Sequence, residues 1–246
     1  MQLKIASINI ERSNHLARVE SFLKFHQPDV LCLQELCQRD IPFFEDLIGN
    51  KLTYVPMCLH PAEEELEPVG IGLIAWGELT DIDIRYYNGT GDRIVPVSFT
   101  VQEGQNVANN DSVANALIFG TCQGFRIATT HLNVTLHGES SPSQLASAAR
   151  LIPIAKEEAA RAGGLLLTGD FNAPRGNPTF SLIAEHFTDG VPPQYKTSID
   201  GNIHRAGPLP YMVDGLFHTP TYKLEHATLH TGVSDHCALT ATLSKA

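Results

Sequence analysis

The sequence predicts an α+β protein in which two β-sheets pack together with helices outside them. Two observations carry that expectation. Many short β-rich runs are separated by Gly, Asn and Asp turns, and a few helical segments are set between them. The composition, 43% hydrophobic against 18% charged, supplies a full core, and no linker or internal repeat divides the 246 residues, so residues 1–246 are read as one domain.

Residues 3–10 alternate apolar and polar side chains as a strand does, with Asn9 at the exit. Ser13 or Asn14 is placed to cap a helix in which Leu16, Val19, Leu23 and Phe25-His26 recur at helical spacing, closed by Pro28. Val30-Leu31-Cys32-Leu33 is a short apolar strand ending in Gln34-Glu35. Asp40 is placed to cap a short helix through Phe43, Phe44, Leu47 and Ile48, which Gly49 ends. Glu63-Glu64-Glu65, with prolines nearby, reads as a solvated loop.

Five further strands are expected at 70–75, 82–86, 94–101, 116–119 and 125–130, with the Asn-rich segment 105–111 as a hairpin tip. Residues 143–161 form the longest helical pattern, in which Pro153 predicts a kink or an early break, and Gly163-Gly164 follow it. Residues 165–168 are a buried strand leading into Gly169-Asp170-Phe171-Asn172. Asn177-Pro178 reads as a cap followed by proline at the first helical position, and 188–210 as the longest loop. Strands at 211–217, 222–228 and 238–243 close the chain.

A formal net charge of -10 argues against a broad electrostatic grip on a long polyanion, because such binding rests on Lys and Arg neutralising phosphates. Nucleic acid stays open as a substrate if a local basic patch exists; Arg175, Lys196, His204 and Arg205 are the residues that could supply one. The five cysteines are scattered without a CxxC pair and read as small buried thiols. No apolar run approaches the ~18 residues of a membrane span, and no secretory leader pattern opens the chain, so a cytoplasmic protein is expected and a monomer is favoured.

Polar residues gather where the strands end: Asn9, Gln34-Glu35, His131 with Asn133, Asp170 with Asn172, and Ser234-Asp235-His236. Singly, each has a bland explanation, since an Asp or Asn after a strand closes turns. Together, carboxylates and amides at strand ends point to a hard, oxygen-loving cation such as Mg²⁺ or Mn²⁺. A zinc site on His226 and His230 would need further ligands that the spacing does not supply.

In this order, Asn9, Gln34-Glu35, Thr130-His131-Leu132-Asn133, Gly169-Asp170-Phe171-Asn172, Val213-Asp214-Gly215 and Ser234-Asp235-His236 resemble the endonuclease/exonuclease/phosphatase family from the first strand to the last. The resemblance implies a four-layer αββα sandwich with two mixed sheets face to face. It implies a metal-dependent phosphoesterase that hydrolyses a phosphate ester by in-line attack of an activated water. Without a basic interface or an aromatic stacking row, a small or locally recognised phosphodiester is the expected substrate. Glu35 would hold the metal, supported by Asn9 and Asp235; Asp170 would orient or deprotonate the water; and Asn172 would fix the phosphate or that water. His236, held by Asp214, would sit at the phosphate, with His131 and Asn133 as further contacts and Glu67 as a partner for His131.

The chain departs from the family pattern at Gly70-Ile71-Gly72, at Asn115-Ala116 and three residues before Gln144, which leaves the core chemistry in place and the substrate open. The alternatives are a phosphatase acting on an inositol phosphate or lipid head group, and a catalytically silent binding module on the same fold.

Overall fold

In the computed structural model, which describes residues 2–62 and 65–246, the chain folds into two six-stranded mixed sheets, a small separate hairpin and four helices. The first sheet contains β1 (Gln2–Asn9), β2 (Val30–Cys37), β3 (Thr53–Ala62), β4 (Glu65–Ala75), β13 (Tyr222–His230) and β14 (Ala238–Lys245), in the order β13-β14-β1-β2-β4-β3. The second contains β5 (Thr80–Tyr86), β8 (Ala116–Cys122), β9 (Phe125–His131), β10 (Leu166–Asp170), β11 (Thr188–Asp189) and β12 (Asp214–His218), in the order β11-β12-β10-β9-β8-β5. The hairpin pairs β6 (Phe99–Gln102) with β7 (Gln105–Ala108).

Each sheet has one parallel pair at its centre, β1 with β2 and β9 with β10. A helix joins each pair, as a parallel connection requires: α1 (Leu16–His26) and α3 (Pro142–Ala162). The shorter α2 (Ile41–Ile48) and α4 (Pro178–Ala184) lie beside them on the outer faces.

The two-residue period of the strands sorts most buried side chains into three main cores. Leu3, Ile5, Val30, Cys32, Ile118 and Leu166 fill the space between the sheets. Ala6, Ile8, Leu31 and Leu33 point the other way, onto Val19, Phe22 and Leu23 of α1 and Phe44 of α2. On the far side Leu117, Phe119, Leu165 and Leu167 meet Ala148, Leu151 and Ala155 of α3 and Ile183 of α4. The result is the four-layer αββα sandwich that the family resemblance implied.

Several local expectations are corrected. Neither Ser13 nor Asn14 caps α1, whose preceding residue is His15 with no capping side chain, because the Ser13 hydroxyl donates to Asp40 at 2.7 Å and accepts from Arg39. Asp40, buried and bonded to that hydroxyl, makes no cap for α2, although Gly49 ends the helix in the left-handed region as expected. Of 94–101 only the part from Phe99 onward is strand; residues 95–97 make a single parallel bridge to Leu59 of β3, and the hairpin tip is Glu103-Gly104 rather than 105–111.

β3 was not expected because it contains Pro56 and Pro61. It lies at the sheet edge, where a missing backbone donor is tolerated. Helix α3 runs unbroken through Pro153. Of Glu63-Glu64-Glu65, the first two lie outside the described residues, and Glu65 opens β4. Residues 211–213 precede β12 instead of belonging to it.

Candidate functional site

Inward-facing positions change from apolar to polar at one end of both parallel pairs. On β1 the inward series Leu3, Ile5, Ser7 leads to Asn9, and on β2 Val30, Cys32 leads to Gln34. On β10 Leu166 and Thr168 lead to Asp170, which pairs in register with His131 of β9 and with Asp214 of β12. The two rims meet across the sandwich: the Asn9 amide donates to Asp170 at 3.0 Å, and the Gln34 amide donates to Thr129 of the opposite sheet at 3.1 Å.

Glu35 would face outward by simple alternation. A β-bulge between Leu33 and Leu36 inserts one residue, and Glu35 takes φ +54°. Its carboxylate thereby reaches the Asn9 amide at 3.3 Å. The bulge thus assigns Glu35 to the same rim as Asn9 and Asp170.

Asp170 sits at the centre of this rim and is buried. One carboxylate oxygen accepts from the Asn172 backbone N–H at 2.8 Å, and the other faces the Asn9 amide, His131 Nε2 at 3.5 Å and His236 Nε2 at 3.9 Å. The Asn172 side chain donates to the Leu132 carbonyl at 2.9 Å and lies 3.0 Å from His131 Nε2. Gln144, buried near the start of α3, donates to the backbone carbonyls of both Asn133 and Asn172 and fixes the two loops against each other.

His236 Nδ1 lies 2.8 Å from the Asp214 carboxylate, which leaves Nε2 facing Asp170. Burial alone would lower the His236 pKa, but the carboxylates of Asp214, Asp170 and Asp235 override it and hold the ring well above its ordinary value. Burial pushes Asp235 up to about 6; His236 opposes the rise, while the charges of Glu11 and Glu35 add to it.

Family membership follows from sequence comparison. The profile of the endonuclease/exonuclease/phosphatase family matches residues 6–236. The chain belongs to the endonuclease/exonuclease/phosphatase family. Comparison with curated protein sequences returns no significant match. The fold is similar to the catalytic domain of human Nocturnin, with a TM-score of 0.72 and 18% identity over 100% of this chain and 94% of that one. It is also similar to a mannosyl-6-phosphatase of Bacteroides thetaiotaomicron, with a TM-score of 0.70 and 14% identity over 98% and 99% of the two chains. A third similar structure is ANGEL2, described as a 2',3'-cyclic phosphatase, with a TM-score of 0.70 and 14% identity over 99% and 95%. Enzymes of the endonuclease/exonuclease/phosphatase family are hydrolytic phosphoesterases and are generally dependent on a divalent metal.

Within this family frame, one expected contact is absent and others were not expected. Glu67 does not partner His131; its carboxylate accepts from the Arg39 backbone N–H at 2.9 Å. The guanidinium of Arg175 is held by the carbonyls of Val191 and Tyr195 and by Asp189, so it braces a loop and does not form a positive rim. Lys196 bonds the Pro193 carbonyl at the surface. His204 does lie near the site: burial lowers its pKa first, and the charges of His236 and Arg205 lower it further.

The long loop contributes Ser198, whose hydroxyl accepts from the backbone N–H groups of Val213 and Asp214. Ser198 and Asp200 also pair by backbone bonds with Asp235 and Cys237, clamping His236 beside Asp214. Nothing in the sequence around Ser198 marks that role. Glu11 and His15, 2.8 Å apart, lie beside Asp235 and were likewise missed, because Glu11 follows β1 in a left-handed turn with no motif of its own.

Proposed function

We propose that the chain is a Mg²⁺- or Mn²⁺-dependent phosphoesterase, acting on a phosphodiester, and that residues 1–246 work as one unit. The observation that carries this reading is the convergence on one buried carboxylate, Asp170, of an amide from the first sheet and two imidazoles from the second sheet and the β14 approach.

The donor set fits a hard cation, being made of carboxylate and amide oxygens without thiolate. Glu35 would hold it, with Asn9 and Asp235 in support. The bound cation would neutralise charge on the phosphoryl oxygens and favour ionisation of water.

The remaining roles belong to the side chains. Asp170 orients the attacking water and accepts its proton, its other oxygen being occupied by the Asn172 N–H. His236, kept protonated by Asp214, donates from Nε2 to the phosphoryl oxygen that gains charge. His131 and Asn172 contact the remaining phosphate oxygens. A diester is favoured because no Lys or Arg is tied into the hydrogen-bonding set around Asp170 among the described residues. A monoester dianion would call for more positive charge than a diester monoanion. Five free buried thiols fit a reducing, cytoplasmic setting. No helix among the described residues is long and apolar enough to cross a membrane.

The test is hydrolysis of bis-p-nitrophenyl phosphate with Mg²⁺ or Mn²⁺, abolished by chelation and restored by the metal. A metal-supplemented panel of plain DNA, abasic DNA, poly(A), inositol phosphates and sphingomyelin then assigns the substrate. Chelator-insensitive or absent hydrolysis across the panel would leave the silent binding module as the reading.

A further inference from the structure

Beside the catalytic rim lies a cavity of about 400 Å³, within the size range of small-molecule sites. One wall comes from the β6–β7 hairpin and the turn after it, including Ala108, Asn109 and Asn110. The other comes from the chain that follows β9, including Asn133 and Thr135, and from the start of α3 at Ser143. The hairpin belongs to neither main sheet, so this wall is an addition to the sandwich.

Two features define what the cavity can take. Its lining contains no Lys, Arg or His, and its one ionisable residue is Glu139. A phosphorylated or carboxylated group would meet no counter-charge from a side chain there. Asn133, only 8% exposed, lines the cavity, and both its amide nitrogen and its amide oxygen lack hydrogen-bond partners among the described residues. The Thr135 hydroxyl is likewise buried and unpartnered. Unpaired polar atoms at such depth are unfavourable until something bonds them.

The Asn133 amide needs one acceptor and one donor. A fully ionised phosphate supplies only acceptors, so it satisfies the nitrogen and leaves the oxygen unmet. A hydroxyl group supplies both. The Gln144 bond to the Asn133 backbone, at 2.8 Å, holds this residue at the junction of the cavity and the Asp170 rim.

We infer that the cavity is a subsite for a neutral, hydroxyl-rich alcohol of the ester, a sugar ring, with Asn133 reading its hydroxyls. This rests on the phosphoesterase reading for its catalytic meaning, but binding in the cavity is measurable without turnover. The chemistry is shared by a ribose and a hexose, and the two are separated by the probes.

The experiment is saturation-transfer NMR of the full chain with ribose and with methyl α-glucoside, comparing wild type with Ala108→Phe, which fills the cavity from the hairpin side. Ser143→Trp fills it from the helix side and keeps the test open if the first variant does not fold. Transfer to one or both sugars in wild type, reduced at least fivefold in a folded filling variant, is the expected result. The sugar with the stronger transfer names the ring. A wild type that gives no transfer, or a folded filling variant that gives as much as wild type, overturns the subsite.

In parallel, kcat/KM for glucose 6-(p-nitrophenyl phosphate) relative to bis-p-nitrophenyl phosphate is expected to fall at least tenfold in the filling variant, and an unchanged ratio counts against the subsite. Sugar binding that persists in a protein without hydrolytic activity would sink the phosphoesterase reading and leave the subsite standing.

Discussion

Asp170 accepts from Asn9 and from the Asn172 backbone while lying within 4 Å of two imidazoles, so a change there alters the reacting centre before it alters packing. Asp170→Asn, Glu35→Gln and His236→Ala are each expected to lower kcat by about 10²–10⁴-fold. Far-UV circular dichroism should stay unchanged. Full activity in any two of them would refute the assigned roles. The pH profile addresses the Asp214–His236 pair. Because the folded pKa of His236 is raised, its protonated form persists above the ordinary value of about 6.5. Activity that needs the proton is lost only as pH rises through the folded pKa, and the stability that the shift contributes is present below about 6.5 and lost over that same rise. Asp214→Asn should move the alkaline limb of kcat to lower pH; a limb that stays in place removes His236 as the donor. At this scale the sequence was legible in its parts: each of Asn9, Glu35, His131, Asp170 and His236 stands at the mouth of a recognisable strand, whereas Asp214 was marked only by its family motif. Ser198 was illegible because its function depends on two backbone N–H groups brought to it by a distant strand.

Strands and turns carry the second set of consequences. Gly169 has φ +142°, and a Cβ there would lie 2.0 Å from the Thr130 carbonyl oxygen on the neighbouring strand. Gly169→Ala is therefore expected to destabilise the fold by about 3 kcal/mol. Thermal melting measures this, and a Tm within a degree of wild type would contradict the close approach of β9 and β10. The bulge in β2 follows a similar logic, one residue of excess length deciding which way Glu35 points. Apolar runs such as 30–33 and 165–168 announced their strands directly. β3 hid behind two prolines that only an edge position tolerates, and 94–98 carried β-rich residues that make no more than a single bridge to Leu59 of β3. Edge position and pairing are properties of the assembled sheet and leave no local mark.

Across the whole molecule, sequence patterns indicated how many layers there are but not which strand joins which sheet. The rim exists because Asn9 and Asp170, 161 positions apart, meet across two sheets. Far from that rim a second buried polar cluster ties the end of α3 to the second sheet: Arg126 and Glu158, both almost fully buried, are 2.6 Å apart, with Arg161 and Asp81 joined to them. The Arg161 bond comes first among the causes that hold the Glu158 carboxyl below its usual range, with Arg126 adding to it against the cost of burial. A depressed carboxyl contributes stability that is present above its unfolded pKa of about 4.3 and lost as pH falls through the folded value. Glu158→Gln should cost about 3 kcal/mol at pH 7, where it strands a buried guanidinium. The gap from wild type should narrow in acid. Urea midpoints followed from pH 7 down through the acid range well below the unfolded pKa measure both, and a gap that stays constant over that whole fall would show that the cluster is not titrating.

The five cysteines give the protein a built-in reporter of its own opening. All are free and buried, and burial pushes the thiols of Cys32, Cys58 and Cys237 up to about 12, so the folded chain offers almost no thiolate to a coloured disulfide reagent. Cys237 directly follows His236, whereas Cys32 lies in the centre of the first sheet. The order in which the two become labelled would time the loosening of the catalytic rim against the unravelling of the sandwich, within one sample and without an added probe.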